Sequence, residues 1–247
     1  CKGDKNKQED KKENSDNFLS EQKIKGPAKK IVYTNFDAKI SFGEVQKDSL
    51  NRKYILLINK DGNISEYSDY DENGFLNQKA VLEYDNDGNM IESKLYDNEE
   101  EITGVVKWKY DEKGNEIEYS RYDEDGELSY MHKNKYDKKG NKTEFAEYNE
   151  DGELIQMDKY KYDDKGNETE YSNYNESGEL SYTYKYKYDD NDSLTDLSYY
   201  NEDGELRSKT KYKYDEKGNK IEFAEYGEDG EPTEQHKYKY DEKGNKI

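Results

Sequence analysis

Apolar and polar positions alternate along Leu180–Tyr188, where Leu180, Tyr182, Tyr184, Tyr186 and Tyr188 are separated by single Ser, Thr and Lys residues. A period of two is the mark of a β-strand whose two faces meet different surroundings. The same alternation recurs in Lys159-Tyr160-Lys161-Tyr162 and in Lys211-Tyr212-Lys213-Tyr214. Short polar clusters closed by glycine, such as Asp137-Lys138-Lys139-Gly140 and Asn149-Glu150-Asp151-Gly152, stand between the alternating runs. An Asp or Asn at the first position bonds back to the backbone, and a Gly at the fourth accepts a left-handed conformation. Together they predict a type I turn with a G1 bulge, a common short hairpin connection.

Two such turns alternate. The first begins at Ile58, Tyr84, Tyr110, Tyr136, Tyr162, Tyr188, Tyr214 and Tyr240, the second at Tyr70, Tyr96, Tyr122, Tyr148, Tyr174, Tyr200 and Tyr226. Both series step by 26 residues, and a repeat this regular fixes the architecture. The fold class is all-β: an elongated antiparallel meander of hairpin repeats, twisted into an open or superhelical sheet. About fifteen strands at roughly 4.8 Å each give a sheet near 70 Å long.

The residues flanking each turn are expected to pair, Tyr148 with Leu154 and Tyr162 with Glu168. Both turns preserve parity, and so does an even repeat, so all even-numbered strand residues are expected to share one face. That face carries most tyrosines with Leu128, Leu154, Leu180 and Leu206, and also Glu118, Glu144, Glu168 and Glu170. The other carries the strand lysines with Ile117, Tyr119, Phe145, Tyr171, Ile221 and Phe223. Neither face is purely apolar, which suits a single sheet wetted on both sides.

Ahead of the array, 31–36, 39–45 and 53–58 read as strands rich in β-branched and aromatic residues. The expected organisation is a charged tether over 1–27, a β cap over 28–57 that covers the first sheet edge, and the repeat array over 58–247. Residues 2–25 have no hydrophobic period.

Charge narrows the partners. With 40 basic and 60 acidic residues the net charge is −20. Such a chain does not hold nucleic acid by charge. So high a charge would suggest disorder, but the repeat and the 27 tyrosines supply order and buriable surface. The one cysteine is Cys1, so no intrachain disulfide forms. A chain starting there resembles a mature bacterial lipoprotein, which implies a cleaved signal peptide, acylation of Cys1 with chains such as palmitate, and a membrane anchor. The charged segment after it resembles that of surface-exported lipoproteins of Bacteroidota.

Tyr-Asp-x-x-Gly-Asn at 84, 110, 136, 162, 214 and 240 resembles the YD repeat of the RHS family, whose strands spiral into a shell. The likeness covers about 58–247 and implies the repeat fold. Many RHS proteins enclose a C-terminal toxin, for which this chain has no room. The charge-rich strands with a lipid anchor are also similar to the single-layer outer surface lipoproteins of spirochaetes.

Catalysis is not expected: His132 and His236 occupy one repeat register, and no nucleophile stands beside a base. No cofactor is expected. Asp85-Asn86-Asp87-Gly88-Asn89 offers alternate acidic ligands, but an EF-hand loop needs Gly where Met90 stands, so no metal site is assigned. The candidate binding face is Trp108, Tyr160, Tyr162, Tyr182, Tyr184, Tyr186, Tyr188, Tyr212 and Tyr214, aromatic rows with hydroxyl tips. Two functions follow. The first is a non-enzymatic, lipid-anchored scaffold or accessory subunit of a larger outer-membrane protein complex, at the cell surface or the periplasmic face. The alternative is a surface module that holds a glycan on the tyrosine face.

Overall fold

The computed structural model describes residues 29–41 and 44–247. Cys1 and the tether lie outside the described residues. The chain divides into two units, one reaching Asn77 and one beginning at Gln78.

The first unit holds β1 (Lys30–Ser41), β2 (Glu44–Ile58) and β3 (Ile64–Tyr70). β1 pairs with β2 from Lys30↔Leu57 to Ser41↔Glu44, with irregularities around Asn35 and Phe36. The sequence suggested three short strands here. The stretch read as a strand over 39–45 is instead split between two long partners, because Ile40 pairs with Val45. Ile40, Phe42 and Val45 flank Gly43 in that stretch, so their β propensity reads as one strand although they do not alternate.

The second unit runs from β4 (Leu76–Tyr84) through β5 (Met90–Tyr96), β6 (Ile102–Tyr110), β7 (Glu116–Tyr122), β8 (Leu128–Tyr136), β9 (Lys142–Tyr148), β10 (Leu154–Tyr162), β11 (Glu168–Tyr174), β12 (Leu180–Tyr188), β13 (Leu194–Asn201), β14 (Leu206–Tyr214) and β15 (Lys220–Tyr226) to β16 (Pro232–Lys237). Each strand pairs antiparallel with the next, and the sheet is open. Every repeat contributes one long strand and one short one.

The turns form as the sequence predicts. At Tyr136–Lys142 the Gly140 N–H donates to the Asp137 carbonyl at 3.2 Å, and the Asp137 N–H to the Asn141 carbonyl at 2.9 Å. Gly152 sits at φ +78. Where the glycine is missing, Glu100 and Asp192 take the same place at φ 63. A side chain is disfavoured there. At Asp192 the conformation is held from outside, since Lys165 Nζ and Asn167 Nδ2 both donate to Oδ1 at 2.9 Å.

The flanking pairs Tyr148↔Leu154 and Tyr162↔Glu168 are present. One residue later the ladder slips. Gln156 pairs with Glu147, passing over Ile155, and Lys161 pairs with Glu170, passing over Thr169. The same bulge follows every turn that joins two strands of the second unit, at Ile91, Ile117, Ser129 and Ser181 among others. A bulge shifts side-chain parity by one. Strict alternation therefore does not carry across a hairpin, and the expected sorting of faces is corrected. Odd residues of the short strands join even residues of the long ones. Tyr119, Phe145, Tyr171 and Phe223 lie on the ring face, against Trp108, His132, Tyr160 and Tyr212 respectively. Glu118, Glu144 and Glu170 go to the lysine face, where Lys109, Lys135 and Lys161 reach them at 2.7 Å.

The lysine face has its own repeating unit. Lys107, Lys133, Lys159, Lys185 and Lys211 lie over the rings of Tyr122, Tyr148, Tyr174, Tyr200 and Tyr226 at 4.7–5.5 Å. Directly opposite these lysines are Ser120, Ala146, Ser172, Ser198 and Ala224, all buried. A small residue there lets the lysine stem lie down across the strand and set its charge on the ring. These side chains replace a conventional core, since the buried hydrophobic residues are only Leu56, Val106, Ala146 and Ala224 among those described.

Candidate functional site

Three sets of bonds fix the surroundings of the candidate residues. The first lies inside each Tyr-Asp turn. Asp85 Oδ1 accepts from the N–H groups of Asp87 and Asn89, and its Oδ2 accepts from Asn89 Nδ2, all at 2.9 Å. Asp111, Asp137, Asp163, Asp215 and Asp241 repeat the arrangement. Both carboxylate oxygens are thus committed to the turn, which accounts for the acidic spacing without a cation. Among the described residues no three His, Cys, Asp or Glu side chains converge as a metal site.

This bonding holds the turn aspartates below their ordinary value of 3.8. In Asp85, Asp111, Asp215 and Asp241 the largest cause is the Asn side chain four residues on, and in Asp163 it is the Asn167 backbone N–H. A carboxylate with a lowered folded-state value stabilises the fold above 3.8, and that contribution is lost as pH falls further. Burial raises Glu168 and acts in the opposite direction. Glu92, Asp137, Asp192, Asp196 and Glu222 are lowered as well, and one raised group does not reverse the sign. Stability is therefore expected to be level from pH 7 to about 4 and to fall below it. Urea midpoints followed by circular dichroism from pH 5 to pH 2.5 check this; a midpoint that climbs below pH 3.8 contradicts it.

The second set ties each repeat to the one before. The hydroxyls of Tyr136, Tyr162, Tyr188, Tyr214 and Tyr240 donate to the carbonyls of Glu116, Lys142, Glu168, Leu194 and Lys220 at 2.8–2.9 Å. Each acceptor lies 20 residues back, at the start of a short strand. There the ladder to the following strand has already stopped; on β7 and β8 it ends at Glu118↔Lys133. The tyrosine supplies the donor that the ladder does not. The third set runs along the turns: Lys113, Lys139, Lys165 and Lys217 donate to the carbonyls of Lys138, Asp164, Asp190 and Glu242, 25 residues ahead, at 2.6–3.3 Å.

Against this background the candidate face separates into parts. Tyr162, Tyr188 and Tyr214 have hydroxyls bound to strand carbonyls and hold the sheet together. Tyr160, Tyr182 and Tyr184 belong to a five-ring row with Tyr171 and Tyr199, ring centres 5.2–6.3 Å apart. Beneath it Asp158, 9% exposed, accepts from Tyr171 Oη and Asn173 Nδ2 at 2.8 Å. Burial pushes the Tyr160 and Tyr186 hydroxyls up to about 12. Tyr212 packs on Phe223 at 5.8 Å. Sequence reasoning missed Tyr171, Asn173 and Tyr199 because the bulges place these odd residues of short strands on this face; Asp158, an even residue of β10, lay on it by parity but had nothing to single it out. His132 lies flat on Tyr119 at 5.0 Å with Nε2 2.7 Å from Glu116 Oε1.

Trp108 stands elsewhere, beside a groove of about 770 Å³ between the turns at 85–89 and 111–115. Ile91, Tyr110 and Ile117 line it with Asp87, Asn89 and Glu112.

No protein-family model matches the chain, and no curated protein matches it. Solved structures do. The Photorhabdus luminescens Tc holotoxin pore is similar at 11% identity over 88% of this chain and 15% of that one, with a TM-score of 0.41. The TcdB2–TccC3–TEV structure is similar at 12% identity over 82% and 13%, TM-score 0.31. A porin-like protein from Bacteroides uniformis is similar at 12% identity over 84% and 93%, TM-score 0.34. The chain thus spans less than a fifth of the toxin chains it matches. These are likenesses at low identity; the class of the chain, an open antiparallel β-meander, rests on its own strand pairing.

Proposed function

We propose that this chain is a non-catalytic β-sheet scaffold of the YD-repeat kind, held at the outer membrane by a lipid on Cys1 and serving a larger outer-membrane protein complex as an accessory subunit. The observation that carries the reading is the recurrence of the tyrosine bonds to carbonyls 20 residues back. A catalyst concentrates unusual chemistry at one place. Here the polar tips are committed to joining one repeat to the next, copy after copy. That pattern supports a part whose work is to span and present.

The reading is tested on the protein expressed with a signal peptide in its native envelope. The wild type is expected to enter the detergent phase, and Cys1→Ser to stay out of it. Purification in mild detergent followed by mass spectrometry should recover one larger membrane protein with the wild type. Deleting residues 5–22 while keeping Cys1 should preserve anchoring and lower that recovery. Equal partitioning of wild type and Cys1→Ser removes the anchor, and a wild type that purifies alone removes the complex.

A further inference from the structure

The repeats make a reference against which local departures stand out. At the register of Trp108 the next copy carries Asn134 and the four after it carry Tyr160, Tyr186, Tyr212 and Tyr238. At the bulge position of Ile91 and Ile117 the later copies carry Thr143, Thr169 and Thr195, with Ile returning at 221. Thr169 and Thr195 donate their hydroxyls to the carbonyls of Lys161 and Lys187 at 3.2 and 3.1 Å. Isoleucine cannot make that bond and presents a methyl surface instead. Three departures, Ile91, Trp108 and Ile117, line one groove.

The groove offers complementary chemistry. The Trp108 ring meets one aromatic neighbour, Tyr119, nearly edge-on at 76° and 5.6 Å. No described group accepts from the indole N–H. Asp85 and Asp111 are committed to their own turns, but the carboxylates of Asp87 and Glu112, one from each turn, have no partner among the described residues. A flat aromatic and aliphatic surface with a free donor and two free acceptors around it suits a sugar ring. The C–H face of the sugar lies on the indole, and its hydroxyls donate to the carboxylates. The volume falls within the usual range for small-molecule sites, roughly 300–1,000 Å³. Charge then selects among glycans. Lys109 and Lys113 also line the groove, but Lys109 is paired with Glu118 at 2.7 Å and Lys113 donates to the Lys138 carbonyl at 2.6 Å. The carboxylates of Asp87 and Glu112, on a chain of net charge −20, therefore set the sign of the rim and repel uronic, sialic and sulfated sugars. We propose that the Trp108 groove binds a neutral oligosaccharide. The site is independent of the scaffold reading, and either can fail alone.

The chain has a single tryptophan, so its emission reports this site directly. The probes are cellohexaose, maltohexaose, xylohexaose and N-acetylchitohexaose, with polygalacturonate as the anionic comparison. At least one neutral probe is expected to give a saturable emission change. By calorimetry, Trp108→Ala should weaken that probe by about tenfold or more. Trp108→Tyr, which installs the residue of the later copies, is safe for the fold and should weaken it less. Tyr186→Ala, at the same register elsewhere, should leave binding unchanged. Silence with all four neutral probes overturns the proposal. So does undiminished binding by both Trp108 variants, or binding of polygalacturonate as tight as that of the best neutral probe.

Discussion

Changing Tyr136, Tyr162, Tyr188, Tyr214 and Tyr240 together to phenylalanine is expected to lower the unfolding free energy of the second unit by about 5 kcal/mol. Each substitution keeps the ring and deletes one hydroxyl donor. The carbonyl it served has no ladder partner on that side, so each loss is worth about 1 kcal/mol, least at Tyr136, where the Glu116 carbonyl keeps a second donor in Asn134 Nδ2 at 3.0 Å. The five sites lie one repeat apart and share no partners, so their effects should roughly add. The comparison is the same change at Tyr122, Tyr148, Tyr174, Tyr200 and Tyr226, where the lysine contact is to the ring. That set should be nearly neutral. Urea midpoints separate the two; equal losses would mean that the rings, and not the hydroxyl bonds, join the repeats.

A second large effect belongs to the first unit. Asp69 is fully buried on β3, and its carboxylate is gripped by Arg52 of β2, with Nε 2.9 Å from Oδ1 and NH2 on Oδ2. The bond to Asp69 holds the Arg52 guanidinium well above its ordinary range. Arg52 is 46% exposed at its side chain, so the pair is dry at one end and wet at the other. Removing the cation strands the acid. With Arg52→Met, the unpaired buried carboxylate of Asp69 is expected to cost about 3 kcal/mol. Adding Asp69→Leu should recover most of the loss, because a pair replaced by apolar groups leaves no charge buried. Hydrogen exchange of β2 and β3 amides measures this. A double variant no better protected than Arg52→Met would place the cost in packing instead of charge.

Sequence reached the turns, the period and the pairs beside each turn, because Asp, Asn and Gly there have no other local use. It did not reach the faces. On the long strands the bulge positions are filled by Ser129, Ile155, Ser181 and Arg207, residue types with nothing in common. On the short strands of the second unit they are always Ile or Thr, as at Ile117 and Thr169, but β-branched residues fit any strand position, so they did not announce the slip. Tyr119 and Tyr171 were placed on the wrong face for that reason alone. The Arg52–Asp69 pair was equally hidden, one acid among 60. Trp108 was visible as a departure from the repeat. Its groove was not, because that depends on two bulges and two turns lying side by side.

The bulge after each turn also constrains how such a chain can change length. A long and a short strand each reverse the parity, so only two successive hairpins restore it. Duplication or loss of a whole 26-residue segment leaves every downstream side chain on its former face and every tyrosine with a carbonyl 20 residues behind it. Loss of a single strand would turn the remainder inside out. Unequal crossing-over between repeats can therefore lengthen or shorten the protein in one step, provided the exchange falls in register. Its reach becomes a heritable variable, set by copy number and not by point substitution.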